Sequence, residues 1–200
     1  DENGRYYALP YAGVIQAVYY NKNIFNELQL SQPTTWKEFL ETAKILKDAG
    51  YTPIANGLKE EEESDMFMTL TPNFIGGRDG RALYMSTDAN GRCFNDAFAV
   101  RAFHSMEEIM PYMSADFTTV SSYTSKERFI NQEAAMLFGG SWDLRYFSEN
   151  VKFDWGVFAS PAASSARTTV IFQPDIAIGV NNQISPAHQK AAFRFLEWLM

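Results

Sequence analysis

Two apolar rhythms take turns along the chain: short runs that are apolar at nearly every position, and longer stretches that repeat every three to four residues. Ile15 to Tyr20, within "VIQAVYY", follows the first rhythm, the pattern of a strand buried on both faces. Upstream, Pro10 and Gly13 break off a second extended piece. "KNIFNELQL" predicts a short helix, and "TTWKEFLETAKILKDAG" predicts a longer one. In the longer one, Thr35 and Glu38 have the spacing of a capping box, Phe39, Ala43, Leu46 and Ala49 share a face, and Gly50 takes the usual stop position. "YTPIANG" reads as a short strand and turn.

The same alternation continues. "KEEEESDMFMTLTPNFIGG" is an acidic loop entering an apolar helix, with Ser64 or Asp65 as its cap. "NDAFAVRAFHSMEEIM" predicts a helix capped by Asn95, with Phe98, Ala102, Met106 and Ile109 or Met110 inward and His104 beside that face as a structural residue. "SKERFINQEAAMLFGGSWDL" gives a short helix, a buried strand from Ala134 to Phe138, a Gly-Gly turn and a new helix from about Trp142. "DWGVFASP" and "TTVIFQPDIAIGV" are strands, the second split by "QPD". The last helix has Ser185 as cap, Pro186 in its first turn, and an inner face of Ala192, Phe195, Leu196 and Leu199. Tyr20, Trp36, Trp155 and Trp198 are assigned to packing. Strands alternating with helices predict a layered α/β domain.

Composition narrows the possible functions. The 200 residues are 46% hydrophobic, enough for a real core, and their net charge of -7 opposes a nucleic-acid or anionic-membrane partner. A single cysteine, Cys93, excludes an internal disulfide framework. Two histidines, His104 and His188, are too far apart in sequence for a local metal or triad motif. No apolar run approaches the ~20 residues of a membrane span, and no signal-peptide pattern opens the chain. "AAFRFLEWLM" stops without a helix terminator, so the chain is expected to be a piece of a longer protein.

Enzyme signatures are missing. There is no G-x-S-x-G elbow, P-loop, dinucleotide fingerprint or H-E-x-x-H, and the glycines of "IGGRDGRAL" read as a turn. Asp65, Asp143, Asp154 and Asp175 lie near strand ends, where a carboxylate pair across a sugar bond is the one enzymatic alternative. More prominent is a set of aromatic and short polar residues at element junctions: Tyr11, Phe67, Tyr123, Trp142, Gln173 and Asp175. Rings offer apolar faces and Asp or Gln offers directional hydrogen bonds, a lining suited to a neutral polyol. From the residues alone, Trp142 in "GGSWDL" is either a core plug or an open platform.

The blocks "GRYYALPYAGVIQAVYYNKNIF", "QPTTWKEFLETAKILKDAGYTPIA", "RFINQEAAMLFGGSWDL" and "ISPAHQKAAFRFLEWLM", in this order, resemble the extracellular solute-binding proteins of bacterial ABC importers. The likeness is to the carbohydrate-binding group that includes the maltose-binding protein. It implies a type II periplasmic-binding-protein-like α/β lobe, a layered sheet with helices on both faces, belonging to a two-lobed protein that closes on its ligand by hinge motion. The 200 residues would form one such lobe, mainly the C-terminal one, with crossover segments near 8–20 and 170–180 and the rest of the protein absent.

The implied function is binding of a sugar or oligosaccharide, with no catalysis and no cofactor. The expected partners are the ligand and the ABC permease, the expected state is a monomer, and the location is the periplasm or the cell surface, there as a lipoprotein. Tyr20, Asn21 and Lys22 match the family's Y-N-K and are structural. Gly140, Ser141 and Trp142 match its platform after the A-M strand. Ser64, Asp65, Met66 and Phe67 match its ligand-facing helix start, and Tyr123 matches the tyrosine ahead of the Phe-x-x-Gly turn. The candidate ligand residues are thus Trp142, Ser141, Asp65, Phe67, Tyr11, Tyr123, Gln173 and Asp175. Two departures stand out: Gln132 replaces a glycine, and Val14 replaces the carboxylate of the maltose-type proteins, so maltodextrin specificity does not carry over.

Overall fold

The computed structural model describes residues 7–59, 66, 69–70, 73–74, 97–163 and 170–200, with backbone alone at 97–99 and 173. The chain divides into two compact units, Asp1–Val14 with Phe172–Met200, and Ile15–Ile171. The expected cap at Ser64 or Asp65, the cap at Asn95, Phe98, Cys93 and the "GGRDG" turn lie outside these residues.

In the larger unit the sheet runs in the order β3-β4-β2-β5, with β2 at Gly13–Asn21, β3 at Thr52–Ile54, β4 at Ala134–Gly140 and β5 at Trp155–Phe158. β3 is parallel to β4, and both β4 and β5 are antiparallel to β2. Apolar density on both faces of β2 and β4 has a direct outcome: two cores, one on each side. Val18, Tyr20, Met136 and Phe138 join Phe25, Trp36, Phe39, Leu46 and Ile109 on one face. Tyr19, Ala134 and Leu137 join Phe129 and Phe147 on the other. The helices supplying these residues are α1 (Lys22–Glu27), α2 (Trp36–Asp48) and α3 (Ala97–Ile109) on the first face, and α4 (Ser122–Ile130) and α5 (Leu144–Asn150) on the second.

Local signals work as read. Thr35 and Glu38 form a complete capping box on α2, and Gly50 ends it at φ 91°, a conformation that L side chains resist. Asn21 accepts from the N–H groups of Asn23 and Ile24, so the family-like Y-N-K is a helix cap. His104 is an exposed residue paired with Glu107 at 3.1 Å.

Gln132 sits at φ 62° in the turn between α4 and β4, so the departure from glycine is carried as backbone strain. Among the described residues its side chain accepts one long hydrogen bond, from Asn21 Nδ2 at 3.4 Å. Gln132→Gly is therefore expected to raise stability by about 1 kcal/mol, read by chemical denaturation.

The smaller unit contains β1 (Leu9–Pro10), β6 (Phe172–Pro174), β7 (Ala177–Ile178) and α6 (Pro186–Leu199). β1 and β7 pair antiparallel, and Ser185 caps α6 as expected. Within the unit, the inner face read for α6 is not buried: of its four residues only Leu196 is, while Phe195 is 55% exposed. Trp198, assigned to packing, is 76% exposed. Among the described residues of the unit, the strands are only two or three residues long, against 14 in the helix.

Candidate functional site

β4 runs two residues beyond the expected buried strand, through both glycines, and keeps its pairing with Gly139 opposite Ala17 and Gly140 opposite Gln16. Gly140 is fully extended (φ -138°, ψ 177°), so the expected Gly-Gly turn is not one. The glycines serve close approach instead. The six-membered ring of Trp142 lies over Gly140 where a Cβ would stand, and a Cβ on Gly139 would lie 2.8 Å from Asp143 Oδ2 and 3.3 Å from the Tyr19 ring. Any side chain at Gly140 would occupy the space of the indole.

The chain then tightens into a 3-10 turn, Ser141–Asp143, before α5. Trp142 is 40% exposed. It neither fills a core nor hangs free; its six-membered ring rests against the Gly140 backbone. Ser141 Oγ accepts from the Ile15 N–H at 3.1 Å, tying the turn to β2. Tyr19, fully buried, donates its hydroxyl to the Gly140 carbonyl at 2.6 Å. Its phenol is held above its ordinary pKa first by burial and then by the charge of Asp143. Edge-on contact with Phe147, at 4.8 Å between ring centroids, locks Tyr19 from the far side.

Asp143 is buried and lies 2.8 Å from Lys126 Nζ of α4. Tyr123, on the first turn of the same helix, is exposed and lies against Tyr146. The Tyr146 hydroxyl donates to Glu127 at 2.6 Å, and that bond, ahead of burial, pushes it up to about 12. Among the described residues no group of three or more His, Cys, Asp or Glu side chains is placed to hold a metal.

Ser141 and Trp142 thus stand together at the end of β4. Tyr11 and Asp175 lie on bonded segments of the smaller unit, where the Tyr11 N–H donates to Ile176 O at 2.7 Å and the Asp175 N–H to Ala12 O at 3.0 Å; both side chains are exposed. Gln173 lies in β6 and only its backbone is described; Asp65 and Phe67 lie outside the described residues.

Sequence reading missed Gln16, buried opposite Gly140, whose Oε1 accepts from Thr69 Oγ1 at 3.2 Å. A lone amide inside "VIQAVYY" was the available signal. It also missed buried Asn73, which donates to Ser160 O at 3.1 Å, and Lys126, for which no local pattern exists.

Comparisons with known proteins agree with one another. The chain is 24% identical over 202 residues to the multiple sugar-binding protein of Streptococcus mutans, covering 98% of this chain and 48% of that one. A solved chitin oligosaccharide binding protein superposes with a TM-score of 0.83 at 22% identity, covering 98% of this chain and 50% of its own. A solute-binding protein solved with raffinose superposes at 0.76 and 22% identity, with 98% and 52% covered. The chain therefore spans about half the length of these relatives, and the structural likeness shows the fold of a type II periplasmic binding protein. The model of the bacterial extracellular solute-binding proteins matches residues 1–200, and the chain belongs to that family.

Proposed function

We propose that this protein is the extracytoplasmic solute-binding component of an ABC importer, and that its solute is a sugar or oligosaccharide. The observation that carries this reading is Trp142: an indole seated on a bare glycine backbone, 40% exposed, at a strand end where Ser141 adds a hydroxyl. A rigid flat apolar surface beside hydrogen-bonding groups suits a pyranose, whose axial C–H faces are apolar and whose hydroxyls are directional. The relatives named above, described as binding sugars or solved with one, support the same class.

In this reading the chain supplies mainly the C-terminal lobe, with crossover segments near 8–20 and 170–180. Tyr11, Tyr123, Gln173 and Asp175, with Asp65 and Phe67, are further candidate ligand contacts. The protein acts outside the cytoplasm as a receptor without catalysis, and delivers its ligand to permease subunits in the membrane.

A thermal-shift screen of the intact protein against a sugar panel tests the reading. A cognate sugar at 100 times its Kd stabilises the folded state by about 2.7 kcal/mol and raises the melting temperature by several degrees. Stabilisation by amino acids or peptides, and by no sugar, would overturn it.

A further inference from the structure

We propose that Asp143, Lys126 and Tyr19 are positioning residues that hold the Trp142 platform in its binding orientation; the inference rests on the sugar-binding reading above. Asp143 is the N-cap residue of α5, where an aspartate ordinarily caps, yet its side chain makes no cap hydrogen bond. Its carboxylate turns inward instead, 3% exposed, to Lys126 Nζ at 2.8 Å and against the bare face of Gly139. The residue after Trp142 is thereby fixed to α4. Two residues before Trp142, the Gly140 carbonyl is held by the Tyr19 hydroxyl at 2.6 Å. Between them, Ser141 is fixed to β2 by the Ile15 N–H.

The turn is therefore held on both sides of the indole, and the ring has one bare surface, Gly140, to lie on. A buried ion pair adds little net stability, because desolvation offsets most of its attraction. Its effect here is geometric: a platform already immobile in the empty protein loses less freedom when a sugar lands on it.

The test uses the intact protein carrying 5-fluorotryptophan, with the Trp142 resonance assigned by Trp142→Phe. In Asp143→Asn and in Lys126→Met, the Trp142 line is expected to shift and broaden while the other tryptophan lines stay. The Kd for the cognate sugar should rise about tenfold in each, and the double variant should bind no more weakly than Asp143→Asn alone. An unmoved Trp142 line with an unchanged Kd in folded variants would overturn the proposal. Lys126 is partly exposed and Tyr19→Phe keeps the ring, so these two carry the test by the same readouts if Asp143→Asn does not fold. If the unaltered protein answers no sugar, the functional reading fails, while the Trp142 line still decides the positioning role.

Discussion

Trp142→Ala in the intact protein is expected to weaken sugar binding by about 30-fold or more, because truncating a central tryptophan anchor typically costs at least 2 kcal/mol. The melting temperature should move by only a few degrees, since the indole is 40% exposed and rests on backbone, not in a core. Gly140→Ala should reproduce the loss without touching the tryptophan, because the new Cβ overlaps the ring and drives it off its seat. The two changes act on one feature, so the double variant should bind no more weakly than Trp142→Ala alone. Calorimetric titration with the sugar found in the screen measures all three. A Trp142→Ala protein that binds normally but melts much earlier would return the residue to the role of core plug.

Tyr19→Ala should cost far more stability than Trp142→Ala. The side chain is 1% exposed, touches Phe147 and Trp155, and closes the hydrogen bond to Gly140. Removing a buried aromatic ring of this kind costs about 3–5 kcal/mol, which for a domain of this size lowers the melting temperature by about 10 °C. Tyr19→Phe isolates the hydroxyl: the loss shrinks to about 1–3 kcal/mol, the penalty of leaving the buried Gly140 carbonyl without its donor. Equal losses in the two variants, measured by denaturant unfolding, would place the whole effect in the hydrogen bond and none in the ring packing.

Much of the fold was legible because it is written locally. A capping box needs two residues three apart, and both Thr35 and Glu38 are where a helix requires them. Unbroken apolar runs in β2 and β4 announced strands covered on both faces, and the two cores lie on those faces. The site was legible only in part. "GGSWDL" marked the aromatic turn after β4, but the glycines were read through backbone freedom when their cause is contact: Gly140 makes room for Trp142 and Gly139 for Asp143 and Tyr19. Likewise, helical periodicity placed Phe195 on an inner face of α6, and periodicity cannot tell whether a neighbour is present to cover that face.

By itself, then, the sequence determined the order and kind of elements, the two-sided burial of the sheet, and the aromatic turn after β4, because each depends on residues within a few positions of one another. Tertiary structure alone decided that Trp142 lies on glycine instead of in a core, that Lys126 meets Asp143 across two elements, and that Gln16 faces Gly140. Those outcomes depend on strand register and on the approach of α4 to the sheet, distances between residues far apart in the chain that no local pattern encodes.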